Sequence, residues 1–204
     1  FKVLVTGKDK AGDFYRKNFA SMFQYCSNRI PEITDAFYKI DDAMKAGFGW
    51  ENGPFEIWDA IGIEKGIELM KAEGYQPASW VTDMLASGNT SFYSIKDGAT
   101  HFYSITNKKV EKIPGQDAFI ILNNIRESKK IWNNSDSIIT DLGDGIINLE
   151  FTSKMNSIGA GVLQGINKAI DIAEKDYNGL VIGNQGANFS VGANLGMIFM
   201  MAVE

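Results

Sequence analysis

A glycine-rich loop between an apolar strand and a helix is the part of the chain best suited to chemistry. Residues Val181 to Leu195 read VIGNQGANFSVGANL. The segment 179–182 has the length and composition of a buried strand, and the loop then opens a helix at Ala193 and Asn194. The first N–H groups of a helix have no intrahelical partner, so they stabilise negative charge developing on an oxygen. The pattern predicts either an oxyanion-binding loop or a plain glycine-rich turn.

A polar turn, Ser153-Lys154-Met155-Asn156-Ser157, precedes this loop in the chain and lies between another strand and a helix. In its simplest interpretation Asn156 or Ser157 caps the helix that follows. Ile147, Leu149 and Phe151 alternate with polar residues before the turn, which predicts a strand. The apolar spacing from Ile158 to Ala173 after the turn predicts an amphipathic helix. These elements, with the strand at 179–182, form a predicted β-β-α-β unit from about Asp136.

The N-terminal part, to about Gly88, is predicted to be mainly helical. Residues 2–6 (KVLVT) favour a leading strand, and Asp13 is the expected N-cap of the first helix. Glycines and prolines then separate further short helices, and Pro54 suits the first turn of one of them.

A β-rich stretch follows these helices. Asp97-Gly98 lies between two aromatic-rich segments, which predicts a hairpin, and Gly143-Asp144-Gly145 predicts a second one. Residues 108–114 resemble a polar connector, and residues 119–132 favour a helix.

The segment 47–62, GFGWENGPFEIWDAIG, carries the most specific pattern of the N-terminal part. From composition alone it is a core corner that packs aromatic residues around two glycine-controlled turns. Its GxG-x3-GPFE-xxD-xxG spacing resembles the C-terminal helical domain of 3-hydroxyacyl-CoA dehydrogenases, as does the preceding Asp41. The resemblance covers about residues 13–90. It implies a domain that shapes an acyl-CoA pocket and subunit contacts, with NAD and the catalytic His–Glu pair on a separate Rossmann domain. No GxGxxG follows a strand in this sequence, so we expect no NAD-binding residue here.

The loop FSVGANL, Phe189 to Leu195, resembles the oxyanion-hole segment of the enoyl-CoA hydratase (crotonase) family. That resemblance implies that the backbone N–H of Ala193 is one oxyanion donor. The second donor and the catalytic glutamates of that family come later in the chain than Ala193. The resemblance also implies a set of residues that contact the CoA thioester: Lys154, Asn156, Ser157, Val191 and Asn194.

Together the two resemblances predict an α+β protein of three parts. Residues 1–90 would be the helical 3-hydroxyacyl-CoA dehydrogenase C-terminal-like domain with a leading strand. Residues 91–135 would be a β-rich hairpin and connector, and residues 136–204 a truncated crotonase-like ββαβ unit, the N-terminal part of such a domain. The absence of an initiating Met agrees with an origin inside a longer chain.

The order of the parts resembles that of bacterial fused 3-hydroxyacyl-CoA dehydrogenase/enoyl-CoA hydratases of fatty-acid β-oxidation. The resemblance implies a parent enzyme that hydrates enoyl-CoA and oxidises 3-hydroxyacyl-CoA with NAD. The 204 residues alone are expected to be inactive. Two alternatives remain: a non-catalytic scaffold or oligomerisation segment, and half of a crotonase-type isomerase.

Composition excludes several other classes. The net charge is −5 without a basic block, which argues against nucleic-acid binding. A single Cys26 and a single His101 make neither a disulfide nor a zinc site, and the lone thiol suits a cytoplasmic, reducing compartment. No apolar run reaches the roughly 18 residues of a membrane span. We expect self-association through the helical domain or through the exposed edge of the crotonase-like unit.

Overall fold

The computed structural model describes residues 1–203, with side chains to Met200. The chain forms two compact units. The first unit comprises residues 1–96 and 100–114, and the second comprises residues 97–99 and 115 onwards. The segment 91–135 is thus divided between the two units.

Six helices and a three-stranded sheet form the first unit. The helices are α1 (Lys2–Thr6), α2 (Lys10–Asn28), α3 (Tyr38–Phe48), α4 (Pro54–Ile61), α5 (Ile63–Ala72) and α6 (Ser79–Ala86). The strands are β1 (Tyr93–Lys96), β2 (Ala99–Ser104) and β3 (Lys109–Lys112), in the order β1-β2-β3.

Stacked aromatic rings fill the core of this unit. Phe23 of α2 stacks on Trp58 of α4, with ring centroids 4.7 Å apart. Phe37, Phe55 and Phe92 continue the cluster, with centroid distances of 5.1 Å from Phe55 to Phe37 and of 5.1 Å from Phe55 to Phe92. All five rings are fully or almost fully buried. Aromatic pairs at such distances add packing energy beyond the area they bury. Phe55 and Trp58 of the 47–62 segment are therefore core residues, whereas its Phe48 and Trp50 are exposed.

The start of the chain differs from the sequence prediction. Residues 2–6 form a helix and not a strand, because no strand pairs with them and Val5 is buried in the helical core. The Arg16 guanidinium donates to the carbonyls of Val5 and Gly7, which are left free at the end of α1. The N-cap of α2 is Asp9, whose side chain accepts from Gly12 N–H at 2.8 Å, and not Asp13. Tertiary packing therefore overrides the β propensity of KVLVT.

The hairpin at Asp97-Gly98 is confirmed, and both residues have positive φ, 51° and 74°. The predicted connector over residues 108–114 is wrong, because β3 pairs antiparallel with β2. An edge strand is held by backbone pairing and tolerates charged side chains. The sequence KVEK of β3 therefore does not show the apolar alternation that predicts a strand.

The second unit is a four-stranded sheet with one long helix. Its strands lie in the order β4-β5-β6-β7, antiparallel except for the parallel pair β6 and β7 that α8 connects. The elements are α7 (Leu122–Ile125), β4 (Lys130–Asn133), β5 (Ser137–Gly143), β6 (Ile146–Phe151), α8 (Ala160–Asp176), β7 (Gly179–Ile182) and α9 (Leu195–Val203).

The ββαβ arrangement and the second hairpin agree with the sequence prediction. The helix predicted over residues 119–132 is wrong, because only the short α7 lies there and residues 130–133 pair with β5 as β4. The mixed apolar and basic residues of this segment have no helical period.

Both faces of the central strand β6 are covered. Ile147, Leu149 and Phe151 are buried in the cluster beside α8. On the other face the buried carboxylate of Glu150 receives two hydrogen bonds from Arg126, at 3.0 and 2.7 Å. A paired guanidinium of this kind satisfies a charge that the alternating pattern alone would expose to solvent.

No helix among the described residues has both the length and the hydropathy of a bilayer-spanning segment.

Candidate functional site

The polar turn after β6 has an unusual backbone. Met155 and Asn156 both adopt left-handed conformations, with φ of 56° and 54°. The Ser153 hydroxyl donates to the Ser157 carbonyl at 2.7 Å, and the Asn156 N–H donates to the Ser153 carbonyl at 2.9 Å. This hydrogen-bonded turn leaves the side chain of Lys154 exposed to solvent.

Two hydrogen bonds join this turn to the glycine-rich loop. The Asn156 side-chain amide donates to the Asn188 carbonyl at 2.9 Å. In return, the Ser190 hydroxyl donates to the Asn156 carbonyl at 2.6 Å. Asn156 therefore links the two segments that carry the predicted site residues, although 32 and 34 positions separate it from its partners.

The backbone of Ala193 faces away from the segment with which it pairs. Ile158 and Ala193 form a parallel bridge: Ile158 N–H donates to the Gly192 carbonyl at 2.8 Å, and Asn194 N–H donates to the Ile158 carbonyl at 2.9 Å. In a parallel ladder the residue between two such bonds directs its own N–H and C=O to the opposite side. Ala193 is exposed, and its N–H has no hydrogen bond within the part of the chain that the structure describes. The loop thus presents an available N–H donor.

The remaining predicted residues lie beside this donor with different roles in the fold. Val191 is half exposed. The Asn194 side chain accepts from Met197 N–H at 3.2 Å and so caps α9, which begins at Leu195 rather than at Ala193. Ser157 uses its carbonyl to close the turn with Ser153.

Sequence reasoning missed the two side chains that hold the start of the loop. Asn184 accepts from Phe151 N–H and donates to the Phe189 carbonyl, both at 2.7 Å. Gln185 accepts from Leu122 N–H at 2.7 Å and donates to the Ile120 carbonyl. The available signal was the polar pair Asn184-Gln185 one residue after the apolar strand β7, where side chains satisfy the backbone groups at the strand end.

The signature corner of the first unit consists of residues 47–62 with Asp41. In contrast to the Ala193 N–H, the backbone N–H groups here are paired with carboxylates, of which Asp41 is the most buried. Asp41 accepts from Phe55 N–H at 2.9 Å, Glu56 N–H at 3.1 Å and the Tyr93 hydroxyl at 2.7 Å. Burial raises the pKa of Asp41 to about 6, although these hydrogen bonds oppose the rise. Burial and the Asp41 charge also raise the pKa of Tyr93, so its hydroxyl remains a donor.

Asp59 binds the start of β1 in the same manner. It accepts from Phe92 N–H, Tyr93 N–H and the Ser91 hydroxyl at 2.8 to 2.9 Å. At Gly53, a Cβ would lie 2.3 Å from the Asp41 Cβ, so only glycine permits this approach. The residues of the GPFE-xxD signature therefore hold α3, α4 and β1 together, and both carboxylates are occupied by the protein itself.

The described residues do not fit an NAD site or a metal site. A dinucleotide fold needs a glycine-rich turn between the first strand and the helix of a parallel crossover. In the crossover β6–α8–β7 that position holds residues 152–159, TSKMNSIG, which lack the GxGxxG spacing. Within residues 1–203, no group of three or more His, Cys, Asp or Glu side chains could hold a metal ion.

Comparison with known proteins gives a family-model match to most of the first unit. Residues 16–97 match the family model described as 3-hydroxyacyl-CoA dehydrogenase, C-terminal domain. The match ends before the ββαβ unit begins. No solved structure matches the chain.

Three relatives align with nearly the whole chain. A Bacillus subtilis (strain 168) protein named probable 3-hydroxyacyl-CoA dehydrogenase is 42% identical over 200 residues, which are 98% of this chain and 25% of that protein. Proteins of Rickettsia felis and Rickettsia prowazekii, both named putative fatty acid oxidation complex trifunctional enzyme, are each 26% identical. Those alignments cover 92% and 96% of this chain and 23% and 24% of the two relatives. The chain thus spans about a quarter of the length of the curated relatives it matches.

Proposed function

We propose, on the premise that residues 16–97 are a 3-hydroxyacyl-CoA dehydrogenase C-terminal domain, that the chain is part of a fatty-acid β-oxidation enzyme. The parent would oxidise 3-hydroxyacyl-CoA with NAD and hydrate enoyl-CoA. The names of the relatives, which align with 92% or more of the chain, support this assignment. NAD would be bound outside these residues, and a CoA thioester would be the substrate.

We further propose that residues 136–204 are the N-terminal part of a crotonase-type domain. The observation that carries this proposal is the outward Ala193 N–H, held beside the Asn156 turn by the Ile158 bridge. When water adds to the β-carbon of an enoyl thioester, the thioester carbonyl becomes enolate-like. An N–H aimed at that oxygen lowers the barrier, and loss of one such donor costs roughly 3–4 kcal/mol. The second donor and the catalytic carboxylates would lie outside the chain.

The same half-site would contact the CoA part of the substrate. Lys154 is exposed on the turn and supplies a positive charge for a CoA phosphate. The other proposed contacts surround it on the turn and the loop, namely Asn156, Ser157, Val191 and Asn194.

A titration of the chain with acetyl-CoA, followed by calorimetry, tests this proposal. We expect saturable binding that Ala193→Pro abolishes, because proline lacks the N–H, and that Lys154→Ala weakens. Lys168→Ala, on the exposed face of α8, is the matched control and should bind as the unaltered chain does. Absence of saturable binding, or equal binding by all three variants, would contradict the half-site.

A second candidate function is a scaffold that contributes only assembly. The apolar helix α9 favours it, with Leu195, Phe199 and Met200 each about two-thirds exposed or more. In the scaffold case acetyl-CoA would not bind, whereas removal of the apolar side chains would alter assembly. Half of an isomerase is a variant of the first proposal, because one oxyanion donor serves either reaction.

A further inference from the structure

The Ser190 hydroxyl of the glycine-rich loop binds the Asn156 turn and also Gly192, the residue before Ala193. Ser190 Oγ donates to the Asn156 carbonyl at 2.6 Å and accepts from Gly192 N–H at 3.0 Å. Ser190 is half-buried, so part of its side chain lies within this small network.

We propose that Ser190 is a positioning residue that sets the direction of the Ala193 N–H, and thereby the affinity of the loop for a thioester enolate oxygen. The inference rests on the proposed crotonase-type function and deepens it. Ser190 itself does not contact the substrate in this proposal; it acts through the neighbouring peptide groups.

The geometry of the peptide bond carries the argument. The Gly192 carbonyl and the Ala193 N–H belong to one peptide plane and point in opposite directions. The Gly192 carbonyl is held toward Ile158 N–H at 2.8 Å, so the Ala193 N–H must point to the other side. Gly192 has a φ of 92°, and glycine adopts positive and negative φ values about equally well. The Ser190 hydroxyl restrains the backbone of Gly192 by binding its N–H.

Two further anchors, Asn184 and Gln185, act at the opposite end of the loop. Asn184 joins the loop to β6 through Phe151 N–H, and Gln185 joins it to Leu122 N–H. Neither binds the peptide groups of Gly192 or Ala193. Removal of the Ser190 hydroxyl therefore releases the Gly192 N–H, next to the donor peptide, which is then held by the Gly192–Ile158 hydrogen bond without the support of Ser190. Asn184 and Gln185 retain the start of the loop.

The first test measures amide hydrogen exchange by NMR without ligand. Ser190→Ala should speed exchange at Gly192 about tenfold, the effect of losing one ordinary hydrogen bond. Ser190→Thr keeps a hydroxyl and should restore protection. Ser128→Ala is the matched control, because the Ser128 hydroxyl donates to the Ile125 carbonyl in a separate local turn. Unchanged exchange at Gly192 in Ser190→Ala would overturn the inference.

The second test uses acetoacetyl-CoA, whose enolate absorbs in the near ultraviolet. Its C2 proton passes to the buffer base, and the negative charge moves to the carbonyl oxygen that the Ala193 N–H would stabilise. Ser190→Ala should lower the bound enolate about tenfold to a hundredfold, the scale of a misdirected catalytic group. Ser190→Thr and Ser128→Ala should keep the unaltered value.

The two tests separate the inference from the proposed function. If Ser190→Ala alters exchange but not enolate formation, the role of Ser190 toward the oxyanion is overturned. If the unaltered chain stabilises no enolate, the proposed function fails, and the exchange at Gly192 alone decides whether Ser190 sets the direction of the donor.

Discussion

The signature corner of the first unit and the glycine-rich loop of the second use backbone N–H groups in opposite ways. In the corner, Asp41 and Asp59 accept from the N–H groups at the start of α4 and β1; Asp41 is buried and Asp59 is half-buried. In the loop, the Ala193 N–H faces outward without a partner among the described residues. A sequence pattern that matches a family model therefore differs from a pattern that leaves a backbone N–H unpaired. The first stabilises the fold, and the second is available for binding.

The largest expected effect is at the signature corner. Gly53→Ala should lower the free energy of unfolding of the first unit by about 3 kcal/mol, because the new Cβ overlaps Asp41 backbone and side-chain atoms at 2.3–2.4 Å. Urea denaturation followed by tryptophan fluorescence measures this, since Trp58 lies in that core. Gly47→Ala is the control: it meets no atom within 4 Å, lies inside α3, and should be neutral or slightly stabilising. Equal stability of the two variants would contradict the close-contact account.

The next effect concerns the protonation of Asp41. Its folded pKa of about 6 lies above its ordinary value of 3.8, so the folded state holds the proton more tightly. The stabilisation is complete below pH 3.8 and is lost as the pH rises to about 6, a loss of about 3 kcal/mol at 1.36 kcal/mol for each pH unit.

Parallel urea titrations of the unaltered chain and of Asp41→Asn between pH 4 and pH 7 isolate this contribution. The difference in unfolding free energy between the two proteins should shift against the unaltered chain as the pH rises. A difference that does not change with pH would mean that Asp41 titrates alike in the folded and unfolded states.

A smaller effect is expected at the apolar surface of the second unit. We predict that the chain self-associates and that Phe199→Glu weakens association about tenfold to a hundredfold, the scale of burying one aromatic side chain. Light scattering over a concentration series measures it. Phe48→Glu, at a similarly exposed ring of the first unit, is the comparison and should leave association unchanged. If the unaltered chain is monomeric at every concentration, the prediction is refuted.

The smallest expected signal is zero. The chain alone should neither hydrate crotonyl-CoA nor form NADH from 3-hydroxybutyryl-CoA, because the second oxyanion donor, the catalytic carboxylates and the nucleotide site are proposed to lie elsewhere. Both reactions are followed by absorbance. Turnover that Ala193→Pro abolishes would show that these residues carry a complete site, and not half of one.

Local signals in the sequence were sufficient for much of the fold. The Asp97-Gly98 hairpin, the helix beginning at Pro54 and the ββαβ unit each depend on a turn or a period within a short segment. The errors at residues 2–6, 108–114 and 130–133 each concern a segment whose structure depends on the element that packs or pairs with it, and not on its own residue pattern. A helix packs against the first segment, and neighbouring strands pair with the other two.

The candidate site was predictable to a similar extent. The crotonase-like sequence pattern assigns the Asn156 turn and the Ala193 loop to one half-site, and the structure joins them by hydrogen bonds. Their role toward a ligand stays a prediction. The partners that Asn184, Gln185 and Ser190 bind could not be foreseen, because they depend on which backbone groups the folded loop leaves without a partner.

An NMR titration of the chain with acetyl-CoA is the most direct test of the contrast between the paired N–H groups of the signature corner and the unpaired Ala193 N–H of the glycine-rich loop. We predict amide shift changes at residues 153–157 and 186–194, largest at Ala193, and none at Phe55, Glu56 or Phe92. Changes centred on those corner amides, or no saturable change at the loop, would contradict the account.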